Sequence, residues 1–103
     1  MTQALAEMVR DNLARSRFEL DVDGATAFTT YRRAAQVVTL LHAEVPAAQS
    51  GRGIGSAMVA GVLALLRAGG DKVIPRCPFI ARYMSRHPEV QDLLADPGAL
   101  ASG

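Results

Sequence analysis

The first half of the chain alternates apolar and polar positions with a period of two, which predicts β-strands. One strand is predicted over Arg17–Val22, and the Asp-Gly pair that follows it is typical of a two-residue hairpin turn. A second is predicted over 25–31, which is rich in threonine and aromatic residues. After a short connection at 32–36, the apolar run 37–45 predicts a third strand, which Pro46 ends because proline has no N–H for the sheet ladder. Short turns between the strands indicate an antiparallel meander.

The second half changes to a helical pattern. Residues 54–67 predict a helix of about four turns, and two glycines follow it as a termination signal. A short strand at 72–74 is cut by a proline, and 79–86 predict a second helix, with 89–94 adding a final turn or two. The fold class is therefore α/β: a meander joined to a β-α-β-α unit, forming one mixed sheet flanked by helices.

The length of 103 residues suits one domain with one modest core. We place that domain at residues 8–95 and expect 1–7 and 96–103 to be frayed. The helix at 54–67 is apolar nearly all round, with only Ser56 and Arg67 polar, so it is buried on most sides in the core or against a partner. Core burial is the simpler expectation, and either a monomer or a homodimer fits the pattern.

Composition excludes several classes of function. No apolar run reaches the roughly 20 residues that cross a bilayer, and the acidic N-terminal segment lacks a secretion signal, so we expect a cytoplasmic protein with no membrane partner. A net charge of +1 without a basic patch, and only two tyrosines and three phenylalanines for base stacking, argue against nucleic acid. A lone Cys77 with two histidines provides neither a disulfide nor a zinc site, and no metal is expected.

A glycine-rich loop, Gly51-Arg52-Gly53-Ile54-Gly55-Ser56, lies between a predicted strand and a predicted helix. The first N–H groups of a helix are unpaired, and glycines let a phosphate approach them, so a pyrophosphate is a natural ligand. The loop lacks the lysine of a Walker A motif, and neither glycine register completes a dinucleotide-binding fingerprint. A glycine turn that merely starts a helix is the remaining alternative.

Three short motifs follow one another along the chain: His42-Ala43-Glu44-Val45-Pro46, the glycine loop, and the segment Pro75-Arg76-Cys77-Pro78-Phe79. This succession resembles the minimal, single-domain GNAT-like N-acetyltransferase family, whose pattern is H-T-E-V-P, then R-G-x-G-I-G, then P-x-C-x-F. The similarity covers roughly residues 8–95. Two positions differ: Ala43 replaces the usual threonine, and Ser50 stands where the family usually has arginine or glutamine, with Gln49 one place out of register.

The resemblance implies that acetyl-CoA is the cofactor and that the pantetheine arm enters a gap where two parallel strands part. It implies cofactor-binding roles for Val45, Gly51, Arg52, Gly53, Ile54, Gly55 and Ser56, with the backbone near Val45 polarising the acetyl carbonyl. The implied activity is acetyl transfer to an amine of a protein or small molecule. The alternative is a non-catalytic coenzyme A-binding or protein-interaction module of the same fold.

The candidate catalytic residues are Glu44, His42, Cys77 and Tyr83. Strand alternation predicts that Leu40, His42 and Glu44 share one face, with the last two about 7 Å apart. Glu44 is the first candidate for the general base and His42 the second, unless the pair is only solvent-facing. Cys77 accepts the acetyl group, lines the cofactor channel or is a small buried hydrophobe. Tyr83 resembles the GNAT tyrosine that protonates the departing thiolate, or is structural.

Overall fold

The computed structural model describes residues 2–49 and 51–96, and within them one five-stranded mixed sheet carries the fold. The elements are α1 (Thr2–Ala6), β1 (Arg10–Asn12), β2 (Arg17–Val22), β3 (Ala25–Ala34), β4 (Val37–Glu44), α2 (Ile54–Ala68), β5 (Lys72–Pro75) and α3 (Pro78–Ser85), with 3-10 helices at Leu13–Arg15, Ala47–Gln49 and Pro88–Leu93. The strand order is β1-β2-β3-β4-β5, antiparallel throughout except for the parallel pair of β4 and β5. The predicted α/β class and the meander are confirmed.

The turn between β2 and β3 has the predicted hairpin geometry. Asp23 and Gly24 both have positive φ, 52° and 79°, as a type I′ turn requires. The next connection differs from the prediction at 32–36, because Ala34 pairs with Val37 and β3 is therefore longer than expected. The residues that lengthen β3 are exposed, so they lack the alternation that reveals a half-buried strand.

The N-terminal segment also differs from the prediction that residues 1–7 are frayed, since α1 is a short helix packed against α2. The apolar side chains of Leu5 and Val9 join the core, but two positions are too few to produce a periodic sequence signal. Gly61 of α2 permits this packing, because a Cβ there would clash with the Ala6 carbonyl and with Val9. Of the other predicted frayed end, 96–103, residues 97–103 lie outside the described part of the chain.

Helix α2 crosses one face of the sheet and connects the parallel strands β4 and β5. The side chains it buries are those of Ile54, Ala57, Met58, Val59, Val62, Leu63 and Leu66. They pack with core residues of the strands, such as Phe18, Leu20 and Leu40, while Leu65 and Arg67 face outward. The expectation of a helix buried on most sides is thereby met within the fold itself.

Strands β4 and β5 part from each other after Leu40. Their parallel register runs from Val37 with Lys72 to Leu40 with Pro75. The Leu40 carbonyl oxygen then accepts hydrogen bonds from the Arg76 and Cys77 amides, at 2.9 and 3.1 Å, as the chain turns into α3. Because β4 continues to Glu44 while β5 has ended, the two strands no longer pair beyond Leu40 and Pro75.

Candidate functional site

A β-bulge at Leu41 sets the direction of the side chains at the end of β4. Consecutive residues of β3, Thr30 and Tyr31, pair with His42 and Leu40, so Leu41 is the extra residue. Leu40 is fully buried in the core, whereas His42 and Glu44 are exposed. The prediction that Leu40 shares a face with His42 and Glu44 is therefore wrong, because one inserted residue reverses the alternation.

His42 and Glu44 form a polar pair on the sheet face opposite α2. The distance from His42 Nε2 to Glu44 Oε1 is 3.3 Å, and the two side chains are 60 and 61% exposed. Phe28 is paired with Glu44 across the strands, and its ring centroid lies 6.4 Å from that of His42. The Arg17 guanidinium covers the Phe28 ring at 4.6 Å. The Glu44 carboxylate, a candidate proton acceptor, is thus exposed on this face of the sheet, next to the aromatic ring of Phe28.

The glycine loop leads directly into α2 and leaves its first amides available. Gly53 is the N-cap residue in the left-handed region, with φ of 76°, and it has no side chain to cap the helix. The N–H groups of Ile54, Gly55 and Ser56 therefore lack intrahelical acceptors. They stand at the positive end of a 15-residue helix, which favours an anion.

These amides border a pocket of about 260 Å³, which we call the loop pocket. It is lined by Val45, Gln49, Gly51, Gly53, Ile54, Gly55, Ser56 and Phe79. A Cβ on Gly55 would lie 3.0 Å from the Phe79 ring and 3.3 Å from Val45 Cγ2, so glycine keeps the space between these side chains open. With backbone donors and no acidic lining residue in the described part of the chain, the loop pocket suits a phosphate group.

Arg52 is the one predicted cofactor-binding residue that does not line the loop pocket. Its guanidinium forms an ion pair with Asp23 at 3.0 Å, so it ties the loop to the β2–β3 hairpin. Ser50, the position at which the family usually has arginine or glutamine, lies outside the described residues. The phosphate-binding capacity of the described part of the loop therefore rests on backbone amides.

Gln49 has a role that the sequence did not reveal. It is only 2% exposed, and its Nε2 donates hydrogen bonds to the carbonyl oxygens of Val22 and Ala25. Its Oε1 is buried and has no hydrogen-bond partner among the described residues. Gln49 therefore connects the glycine loop to the β2–β3 hairpin, and it also lines the loop pocket. In the sequence, Gln49 is distinguished only by its position one place before Ser50, where the family usually has arginine or glutamine.

Cys77 lies where β4 and β5 part, but its thiol is not at an accessible surface. It is the N-cap of α3, is 5% exposed and belongs to the hydrophobic core. Its side chain does not line the loop pocket. This placement matches the buried-hydrophobe alternative more closely than the acetyl-accepting one.

Tyr83 is half-buried on α3 and stacks on His87, with ring centroids 3.8 Å apart and planes 13° from parallel. Burial, and to a smaller extent the Glu89 carboxylate, raise the pKa of Tyr83 above its usual 10, so the phenol is protonated at neutral pH. It lines a second pocket of about 150 Å³, the α3 pocket, with Ser56, Phe79, Arg82, Arg86 and His87. Ser56 and Phe79 line both pockets, so Tyr83 is adjacent to the glycine loop.

The arrangement combines a helix end with unpaired amides, two parallel strands that cease to pair, and an exposed carboxylate. Val45 lines the loop pocket and directly follows Glu44, so these features meet at the end of β4. Within residues 2–49 and 51–96, no group of three or more His, Cys, Asp or Glu side chains is placed to hold a metal ion. Of the helices in those same segments, none has the length and hydrophobicity needed to cross a bilayer.

Comparison with known protein families gives an independent result. The family model described as GCN5-related N-acetyl-transferase matches residues 17–93, from the start of β2 to the last 3-10 helix. No curated protein matches the chain. The family match includes the bulged strand, the glycine loop and α3, and it confirms the resemblance indicated by the sequence motifs. The chain belongs to the GCN5-related N-acetyl-transferase family.

Proposed function

We propose that this protein transfers the acetyl group of acetyl-CoA to an amine, with Glu44 as the proton acceptor. The observation that carries the proposal is the position of the exposed Glu44 carboxylate next to Val45, which lines the loop pocket. Acetyl transfer needs a bound donor and a base at the same place, and here one strand end supplies both.

Binding is assigned to the backbone of the glycine loop. The free amides of Ile54, Gly55 and Ser56 and the α2 dipole hold the pyrophosphate. The gap beyond Leu40 and Pro75 is the place for the pantetheine arm, because there the two strands no longer pair. Acetyl-CoA supplies an activated acetyl thioester when bound. Val45 and Phe79, on either side of Gly55, restrict the direction in which the ligand leaves the loop.

Proton transfer is assigned to the polar pair on β4. The Glu44 carboxylate accepts a proton from the incoming ammonium, directly or through water, because the nucleophile must be a neutral amine. The His42 imidazole, 3.3 Å away, orients the carboxylate and is the second candidate acceptor. Since both side chains are well exposed, the open face admits a lysine or chain terminus of a protein as well as a small amine.

Tyr83 is assigned as the proton donor to the leaving sulfur, because its hydroxyl-bearing side chain lines the α3 pocket, which shares Ser56 and Phe79 with the loop pocket. Cys77 has no covalent role in the proposal. A thiol that is 5% exposed cannot both receive an acetyl group and present it to an acceptor on the open face without leaving the core. Direct attack by the amine is therefore favoured over a Cys77 intermediate.

Calorimetry with acetyl-CoA, with NAD as a negative control, tests the donor site. We expect acetyl-CoA alone to bind, and Gly55→Val to weaken its affinity at least about tenfold, because the new side chain enters the loop pocket. The matched control is Ala64→Val, which adds the same branched side chain to an exposed position of α2. Absence of acetyl-CoA binding by the wild type would reject the proposal.

Turnover distinguishes an enzyme from a coenzyme A-binding module. The alternative draws on one observation: of the described residues, no cationic side chain lines the loop pocket, since Arg52 is engaged by Asp23. Release of free thiol from acetyl-CoA is measured in the presence of small amines, lysine peptides and peptides with free N-termini. Binding without release for any of these acceptors would replace the enzymatic proposal with the binding module.

A further inference from the structure

Half of the ten arginines of the chain form ion pairs with carboxylates, but Arg82 on α3 and Arg86, the C-cap residue of α3, do not do so within the described residues. Carboxylates pair with Arg10, Arg17, Arg33, Arg52 and Arg67. Arg82 and Arg86 are exposed, one helical turn apart, and neither has a carboxylate within ion-pair distance in the described residues. Residues at i and i+4 on a helix lie on the same side, so the two guanidinium groups face a common space.

That space is the α3 pocket, which both arginines line. The α3 pocket and the loop pocket share Ser56 and Phe79, so a continuous surface runs from the first turn of α2 to α3. Among the described residues, no acidic side chain lines either pocket. The charge of the arginines is therefore not taken up by an ion pair in the described residues, and it adjoins the amides assigned to the pyrophosphate.

The chemistry of the ligand indicates what the arginines would hold. Coenzyme A has a phosphate monoester on the 3′-hydroxyl of its ribose, and only this ribose separates the monoester from the pyrophosphate, which is attached at the 5′ position. A guanidinium group binds a phosphate monoester with two parallel N–H···O bonds, and a monoester has oxygens enough for two such groups. A pyrophosphate seated at the end of α2 places the monoester within the reach of α3.

We propose that Arg82 and Arg86 bind the 3′-phosphate of coenzyme A and thereby select the acetyl donor. The inference rests on the proposed function. It adds that the protein discriminates acetyl-CoA from thioesters that share the pantetheine arm but lack the ribose phosphate, such as acetyl-3′-dephospho-CoA. The loop pocket binds the pyrophosphate, which both donors have. The arginines bind the 3′-phosphate, which only acetyl-CoA has.

The test compares the dissociation constants of acetyl-CoA and acetyl-3′-dephospho-CoA by calorimetry. The wild type should prefer acetyl-CoA by at least about tenfold, because each charge-assisted hydrogen bond stabilises the complex. Arg82→Ala and Arg86→Ala should each reduce the preference, and the double variant should bring it close to one while leaving the affinity for the dephospho ligand unchanged. Arg32→Ala removes another exposed, unpaired arginine, outside both pockets, and should leave the preference as in the wild type.

The outcomes separate this inference from the proposed function. Equal affinity of the wild type for the two ligands would overturn the inference and leave the acetyl-CoA site in place. Binding of neither ligand would overturn the proposed function itself. A double variant that loses affinity for both ligands equally, with an unchanged melting temperature, would show that the arginines act on the whole ligand rather than on the 3′-phosphate, and would also overturn the inference.

Discussion

The imidazole of His42 lies 3.3 Å from the carboxylate of Glu44, on the side of the sheet that faces away from α2. Without the bulge at Leu41, alternation from the buried Leu40 would direct both polar side chains into the core. Burial of a carboxylate without a partner is costly. The bulge therefore allows an apolar strand to end in an exposed base, which is the arrangement that an acceptor amine can reach.

The first prediction concerns this carboxylate. Glu44→Gln should lower kcat by about 10²- to 10⁴-fold, because an amide cannot accept the proton of the incoming ammonium. The dissociation constant for acetyl-CoA, measured by calorimetry, should change less than about twofold, since Glu44 does not line the loop pocket. Glu7→Gln, at an exposed position on another part of the surface, is the control. A Glu44→Gln variant with wild-type turnover would remove Glu44 as the base.

The second prediction concerns Tyr83. Tyr83→Phe should lower kcat about 10²-fold without changing the affinity for acetyl-CoA, because only the proton donor is lost. Since the pKa of Tyr83 is raised above 10, its loss of the proton should not limit the wild-type pH–rate profile at any pH below 10. In Tyr31→Phe, which removes a hydroxyl bonded to Asp11, turnover should persist while stability falls by about 1 kcal/mol. An unaltered kcat in Tyr83→Phe would make this tyrosine structural.

Local signals sufficed to predict the hairpin at Asp23-Gly24, the glycine loop and helix α2. Each is specified by residues close together in the chain: a turn pair, glycines before a helix, and an apolar run ended by glycines. The bulge at Leu41 could not be predicted in this way, because it exists only through the pairing of β4 with Tyr31 and Thr30 of β3. The face assigned to Leu40 was wrong for that reason.

In the candidate site, too, some features could be predicted from local sequence, and others depend on contacts between distant parts of the chain. The glycines that shape the loop pocket were evident from their spacing, whereas the contribution of Gln49 depends on carbonyl groups 27 and 24 residues away in the chain. Arg82 and Arg86 carried no signal either, since exposed arginines on a helix are ordinary. The role proposed for them rests on the pocket that they line next to the glycine loop, which is a property of the packed molecule.

The third prediction tests the close packing of the N-terminal segment. Alanine normally stabilises a helix relative to glycine by about 1 kcal/mol, yet Gly61→Ala should lower the free energy of unfolding by about 1 to 3 kcal/mol. The added Cβ would clash with the Ala6 carbonyl and Val9, so α1 must shift. Urea denaturation measures the effect.

A double-mutant cycle with Val9→Ala supplies the control. Removing the Val9 methyl groups makes room for the new Cβ, so the two substitutions together should cost less than the sum of their separate effects. Additive costs, or a stabilising effect of Gly61→Ala alone, would contradict the packing of α1 on α2.

The fourth prediction concerns Glu19, which is 3% exposed and accepts hydrogen bonds from Arg10, Asn12 and Arg17. Hydrogen bonding from Arg17, with smaller contributions from the other two, lowers the pKa of Glu19 below its usual 4.5. A carboxyl group whose pKa is lower in the folded than in the unfolded state stabilises the fold above its unfolded pKa, and this contribution is lost as the pH falls through the folded pKa.

Glu19→Gln should therefore lower the free energy of unfolding by about 2 kcal/mol at pH 7, and its difference from the wild type should narrow below about pH 4.5. Urea denaturation from pH 3 to pH 7, with Glu7→Gln as the exposed control, would refute the ion-pair account if the difference stayed constant.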